Sequence, residues 1–237
     1  MRYALYFSPA EHHPLTKAAA HWLGRDAFSG KIFPTPDVDG LSMEQVHDLT
    51  ADPRRYAFHA TLKAPFELAP GRTEAELVAA VERFADETPV FDIPNVIVGQ
   101  LGRFFAIVPD RVYPDLQQFA ARIVEDFEPF RAPLSEADIA RRKPETLSAP
   151  HRANLERWGY PYVMDEFRFH MTLTGQVPPE QAPFMRAELD HRFAAFTGIP
   201  LTIDGLALFI EPERGAPFTA HSRHAFAPAA ANRKTAS

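Results

Sequence analysis

Apolar and polar residues alternate in short runs along this chain, and between those runs they fall into longer stretches with helical spacing. Proline and glycine mark most of the boundaries. Residues 3–7 alternate and are rich in β-formers, which predicts a strand, and residues 16–23 predict a short helix closed by Gly24. Residues 25–52 read as loop around Pro34, Pro36 and Gly40, with a helix over 42–49. A strand is expected over 55–66. Thr73, with Glu76 three positions on, forms a capping box that opens a helix over 73–87. Strands near 91–98 and 104–109 and a helix near 113–127 follow. Residues 131–166 differ in texture, with Pro133, Pro144, Pro150 and Pro161, several cations and two short helices over 135–142 and 153–158. They read as an insertion or lid. After them come a strand over 166–174, a helix over 179–196, and strands near 201–210 and 216–226.

Two of these strands carry the same pattern. Phe58-His59-Ala60-Thr61-Leu62 and Phe169-His170-Met171-Thr172-Leu173 both read Phe-His-x-Thr-Leu, with Arg55 upstream of one and Arg168 upstream of the other. Side chains alternate across a strand. His59, Thr61 and Lys63 are therefore expected on one face and Phe58, Ala60 and Leu62 on the other. In the second copy Arg168, His170 and Thr172 share the polar face. One copy alone is an ordinary strand in which threonine serves β propensity. Two copies, 111 residues apart and in matching places of the element order, are a constellation. The order strand, helix, motif strand, helix, strand runs twice, so the expected fold is α+β. It has two pseudo-symmetric lobes of mostly antiparallel sheet with helices on the outer faces, in one bilobal domain over 1–226.

Composition narrows the chemistry. Hydrophobic residues make up 46% of the 237, twenty of them phenylalanine, which is ample for a core. The formal charge of −6 argues against an extended nucleic-acid surface while leaving room for a local cationic pocket. With no cysteine, thiolate catalysis, disulfides and thiolate-ligated metals are excluded. No apolar run approaches the ~20 residues of a membrane span, and the start is too polar for a secretory signal. A cytoplasmic monomer is the expectation, with a disordered tail over 227–237. No His-x-x-x-His, Gly-x-Ser-x-Gly or Gly-x-x-x-x-Gly-Lys pattern occurs. Neither a metal nor another cofactor is therefore expected, nor a serine hydrolase triad, nor nucleoside triphosphate chemistry. Of the other histidines, His12 and His13 follow the first strand and are the nearest to the expected pocket.

What remains is proton transfer at phosphorus. An ordinary histidine titrates near pKa ~6.5, so of two facing imidazoles one can take a proton while the other gives one. Together they can deprotonate an attacking hydroxyl and protonate a departing alkoxide. Thr61 and Thr172 can hydrogen-bond the non-bridging oxygens. Lys63, Arg55, Arg168 and Tyr6 complete the candidate substrate-binding set.

These residues resemble the two-histidine (2H) phosphoesterase superfamily, defined by two His-x-(Thr/Ser) motifs in pseudo-symmetric lobes. The contexts at 54–66 and 167–175, the opening at 2–7 and the segment 22–26 look like one branch, encoded with bacterial carbon–phosphorus lyase systems for phosphonate use. The resemblance implies a cleft between lobes with His59, Thr61, His170 and Thr172 at its base, and metal-free hydrolysis of a small cyclic phosphate. That would be a 2′,3′-cyclic nucleotide or a ribose cyclic phosphate such as a 5-phosphoribosyl 1,2-cyclic phosphate. In the inserted segment Arg131, Arg141, Arg142 and Lys143 are candidates to clamp a second phosphate, or else form a solvated helix face. The other readings are an RNA-end-processing 2′–5′ phosphodiesterase or ligase, and a module that binds a phosphorylated metabolite without turnover.

Overall fold

The computed structural model describes residues 1–228. In chain order the elements are β1 (Arg2–Phe7), α1 (Pro14–Leu23), α2 (Met43–Leu49), α3 (Ala51–Tyr56), β2 (Ala60–Phe66), α4 (Glu74–Glu87), β3 (Phe91–Ile93), β4 (Val96–Leu101) and β5 (Phe104–Pro109). They continue with α5 (Pro114–Asp126), α6 (Glu136–Arg141), α7 (Ala149–Trp158), β6 (Met171–Thr172), α8 (Ala182–Arg192), β7 (Leu201–Ile203), β8 (Gly205–Glu211) and β9 (Thr219–Ala225).

Local chemistry sets the boundaries. Ser42, Thr73, Ser135 and Ser148 each accept a hydrogen bond from the backbone N–H three residues on, starting α2, α4, α6 and α7. At Thr73 the expected capping box with Glu76 is complete. Gly24 and Gly159 close α1 and α7 in the left-handed region, at φ 83° and 72°. The strand expected over 91–98 is broken at Pro94 into β3 and β4, which belong to different sheets. The one expected over 201–210 is likewise split at Asp204 into β7 and β8. Of the expected tail, Ala227 still bridges to Pro89, and 229–237 lie outside the described residues.

Seven strands form one antiparallel sheet in the order β4-β5-β6-β2-β1-β8-β9, and β3 and β7 pair as a small second sheet. The fold is α+β and mostly antiparallel, as expected. The large sheet has a narrow waist. Strands β2 and β6 meet through the single pair Ala60↔Met171. On one side of that joint lie β6, β5 and β4, and on the other β2, β1, β8 and β9. Each half thus presents one motif strand at the inner edge, where the two halves touch.

One face of the sheet is core. Tyr3, Leu5 and Phe7 of β1, Ala60 and Leu62 of β2, Met171 of β6 and Leu206 and Leu208 of β8 are buried in one cluster with Leu77, Val81 and Phe84 of α4 and Leu116, Phe119 and Ile123 of α5. Each large apolar side chain removed from water contributes roughly 1.5–3 kcal/mol. Trp22 of α1 donates its indole N–H to the Leu173 carbonyl at 2.7 Å, tying the first helix to the second motif. The alternate positions Ala4 and Tyr6 of β1, with Ala207, Phe209 and Phe218, form a smaller buried cluster on the opposite face. That second face carries the motif polar groups.

Candidate active site

The pair Ala60↔Met171 fixes the site. Continuing its antiparallel register puts His59 opposite Thr172 and Thr61 opposite His170, all four on the face away from the core. A local two-fold axis runs between the two strands. The histidines occupy diagonal positions, which in such a ladder lie about 7–8 Å apart. His59, Thr61 and Thr172 line a cleft of about 340 Å³, together with Tyr6, Tyr56, Phe104 and Tyr160 among others. The cleft is polar at its base and aromatic on its walls.

Both imidazoles are oriented alike. Nδ1 of His59 lies 2.9 Å from the Ala57 carbonyl, and Nδ1 of His170 lies 2.6 Å from the Arg168 carbonyl. A carbonyl accepts only, so each Nδ1 carries the proton and each Nε2 is left with a lone pair. Thr61 donates its hydroxyl to Nε2 of His59 at 3.1 Å. The Ala57 carbonyl is aimed by an uncommon backbone state, φ 63° and ψ −179°, a conformation that costs an alanine on the order of 1–3 kcal/mol. The His59 ring stacks on Tyr6, with centroids 3.7 Å apart and planes 18° apart. His170 has Phe104 beside it at 5.7 Å.

These surroundings favour neutral imidazole. Burial pushes the His59 pKa down to about 4, against the opposing hydrogen bond to the Ala57 carbonyl and reinforced by the positive form of His170. Burial also lowers His170, again against its backbone hydrogen bond. Burial holds the Tyr6 hydroxyl protonated, far above the usual phenol range.

The other expected site residues divide. Tyr6 lines the cleft. Lys63 does not: it is 3% exposed and donates to the Val124 carbonyl at 2.9 Å and to Glu128 at 2.8 Å. The cause is a bulge in β2. Tyr6 lies opposite Thr61 but Leu5 opposite Lys63, so Leu62 is an extra residue, and a second shift follows between Lys63 and Phe66, which pairs with Tyr3. Ala64 and Pro65 take the cleft-facing places, and Lys63 turns under toward α5. Arg168 is exposed and binds the Asp165 and Phe167 carbonyls, facing a separate apolar groove near Tyr113. Its strand does not form: β6 is only Met171–Thr172, since the carbonyls before it are engaged by the Arg168 and His170 side chains. Arg55 belongs to helix α3 rather than a strand, because Pro53 is favoured in a first helical turn. Its guanidinium lies over Tyr56 and pairs with Glu211 at 3.3 Å, facing a cavity beside the cleft. His13 caps α1 by accepting from the Leu15 N–H, and neither it nor His12 lines the cleft.

Arg2, Tyr56, Phe104 and Tyr160 also line the cleft. Arg2 was legible, since positions 2, 4 and 6 of β1 share a face with Tyr6. Tyr56, Phe104 and Tyr160 carry no signal in the sequence. Of the inserted cations Arg142 alone lines the cleft, while Arg131 binds Glu128 at 2.6 Å and Arg141 pairs with Asp138. Two Glu-x-x-His spacings, Glu44 with His47 and Glu188 with His191, lie on helices. Among the described residues no group of three or more His, Cys, Asp or Glu is placed to hold a metal ion. No helix among them is long and apolar enough to cross a membrane.

A family model described as "Protein of unknown function (DUF1045)" matches residues 61–219, a span that takes in Thr61 and the whole second motif. Two curated proteins, both named ribose 1,5-bisphosphate phosphokinase PhnN, are similar to the chain. The one from Janthinobacterium sp. (strain Marseille) is 38% identical over 229 residues, 95% of this chain and 51% of that protein. The one from Laribacter hongkongensis (strain HLHK9) is 34% identical over 218 residues, 92% and 50% respectively. The chain spans about half the length of the curated relatives it matches. Among solved structures, TT0787 of Thermus thermophilus aligns with a TM-score of 0.46 at 14% identity, over 95% of this chain and 98% of that one. E. coli LigT complexed with 3′-AMP aligns at 0.42 and 14% identity, over 95% and 97%.

Proposed function

We propose that this chain, which belongs to the DUF1045 family, is a metal-independent phosphodiesterase that opens a small cyclic phosphate with His59 and His170 as its acid–base pair. The observation that carries the reading is the Ala60↔Met171 pairing, whose antiparallel register sets His59 and His170 diagonally across the two motif strands, with His59, Thr61 and Thr172 lining the cleft. Neither unit alone could both accept and donate a proton across a phosphorus atom.

The reaction adds water across one P–O bond. One neutral imidazole takes a proton from water through Nε2 as the oxygen attacks phosphorus. The other, as imidazolium, gives its Nε2 proton to the departing sugar oxygen. The ring bond breaks and a phosphomonoester is left. The first histidine ends protonated and the second neutral, and exchange with solvent restores the pair. Each transfer contributes about 10²–10⁴ in rate. Thr61 and Thr172 donate to the non-bridging oxygens as charge gathers on them.

The depressed pKa values give the anion a second role. With the cleft empty both imidazoles favour the neutral form. A bound phosphodiester supplies the negative charge that raises them, so the acid is loaded when substrate arrives. His59 is the more reluctant to be protonated, being stacked on Tyr6 and enclosed, and serves as the base. His170 serves as the acid.

The substrate class is small. A 340 Å³ cleft in a chain of net charge −6 suits a sugar or nucleoside cyclic phosphate. The printed name of the curated relatives concerns ribose phosphates, which favours a ribose cyclic phosphate, in keeping with the phosphonate setting that the family resemblance implies. The kinase activity in that name is not carried over. This chain covers half of those proteins and contains no Gly-x-x-x-x-Gly-Lys loop for a nucleoside triphosphate. The test is a panel of 2′,3′-cyclic nucleotides, ribose 1,2-cyclic phosphates and 2′–5′ dinucleotides incubated with EDTA and followed by ³¹P NMR. Conversion of a cyclic phosphate to a monoester, undiminished by EDTA, is expected. Turnover confined to the linear dinucleotides, or abolished by the chelator, would overturn the reading.

A further inference from the structure

Past Arg2, Tyr56, Pro65 and Arg142, which line both spaces, the histidine cleft opens into a second cavity of about 690 Å³. Its wall holds five arginines: Arg2, Arg55, Arg141, Arg142 and Arg214. Against them stand Glu67 and Asp138 in the same wall and Glu211 beneath it. Two positive charges are left over, in a chain that is negative as a whole.

The excess is built in. Glu211 is fully buried and holds both Arg2 and Arg55, so one carboxylate fixes two guanidiniums at the boundary between the cavities. Asp138 and Glu67 neutralise Arg214 and Arg141 farther out. Arg142 pairs with no carboxylate among the described residues. Its guanidinium lies instead 4.8 Å from the centroid of Tyr160, a residue of the histidine cleft. An aromatic face positions a cation without cancelling its charge, so the fork stays available to a ligand. Gathering uncompensated guanidiniums in one cavity is unfavourable unless an anion joins them. A planar fork matches the oxygens of a phosphoryl group in bidentate fashion.

We propose that the arginine-walled cavity is a second phosphate subsite, centred on Arg142 with Arg2 and Arg55, and that it takes a phosphomonoester carried by the same molecule whose phosphodiester lies between the histidines. The substrate is then a cyclic phosphate of a sugar that bears a second phosphoryl group. The inference rests on the proposed function for the identity of the first group only. The charge arrangement stands by itself.

The test is equilibrium binding by calorimetry of ribose 1-phosphate and ribose 1,5-bisphosphate to the full chain, in wild type, R142Q and R142K. Wild type is expected to bind the bisphosphate roughly 10- to 100-fold more tightly, the gain of a charge-assisted bidentate contact. R142Q should bring the two ligands to within about three-fold, and R142K, with a charge but no fork, should lie between. Equal affinity in wild type, or a preference untouched by R142Q, would overturn the subsite. So would an equal gain when ribose 1-phosphate is supplied together with free inorganic phosphate, since the second anion would then not need to be tethered. Binding needs no turnover. An Arg142-dependent preference in a protein that opens no cyclic phosphate would leave the subsite standing and remove the proposed function, and the reverse pattern would do the opposite.

Discussion

The two Phe-His-x-Thr-Leu segments are nearly the same on paper, and the fold treats them differently. The first leads into a seven-residue strand flanked by β1 and β6, shortly after a helix that ends in the uncommon backbone state of Ala57. Its histidine is stacked on Tyr6. The second lies on a strand of only two residues, follows an irregular segment, and has Phe104 at a greater distance. What the two share is Nδ1 bonded to the carbonyl two residues back and a threonine two residues on. What differs is enclosure. Burial favours the neutral form of both rings, and His59, stacked on Tyr6, is the more enclosed of the two.

That contrast can be sharpened by changing the leaving group. With an alkyl cyclic phosphate, His59→Ala and His170→Ala should each lower kcat by about 10²–10⁴. With an aryl phosphodiester, whose phenolate departs without a proton, His170→Ala should recover most of its loss and His59→Ala should not. Recovery in His59→Ala instead would reverse the assignment of base and acid.

The enclosure of His59 also leaves a mark on stability. Its folded-state pKa of about 4 lies below the ordinary 6.5, so folding favours the neutral ring. The stabilisation is fully present above pH 6.5 and is lost as the pH falls toward 4, because the unfolded chain binds the proton first. At most roughly 3 kcal/mol is at stake by this route. Urea unfolding from pH 7.5 to 4 should therefore show a smaller acid loss in His59→Leu than in wild type. An identical loss would mean that the ring is not held neutral.

A smaller difference separates the two cations that strand phase assigned to the substrate. Lys63→Met should lower stability by about 1–3 kcal/mol, since it leaves the Val124 carbonyl and Glu128 without their buried donor. It should change KM little. Arg168→Gln, on the surface and away from the cleft, should stay within about 0.5 kcal/mol and leave turnover unchanged. Thermal unfolding and steady-state kinetics on both variants check this. A large KM effect in Lys63→Met would place that ammonium in the site after all.

The pattern of success and failure has a physical cause. His59, Thr61, His170 and Thr172 were legible because period-two alternation holds over the three residues of each motif and the motif repeats. Tyr6 and Arg2 follow from the same alternation in β1. Lys63 was misassigned because a single extra residue, Leu62, resets the phase, and a bulge leaves no trace in a pattern of apolar and polar letters. Arg55 and Arg168 were lost where the strands stop short. Arg142 and Tyr160 reach the cleft by the folding back of the 131–166 segment, a long-range event that no local period encodes. Glu211 lies one residue past the strand expected over 201–210, and its importance appears only where Arg2 and Arg55 converge on it.

The central claim is that the two histidines act together on one phosphorus atom, and single-turnover kinetics on a cyclic ribose phosphate in EDTA tests it most directly, comparing wild type, His59→Ala, His170→Ala and the double variant. Groups that act as a unit are strongly non-additive. The double variant should be no more than about ten-fold slower than the slower single variant, with both singles down by about 10² or more. Wild-type rates in either single variant, or losses that multiply fully in the double, would contradict it.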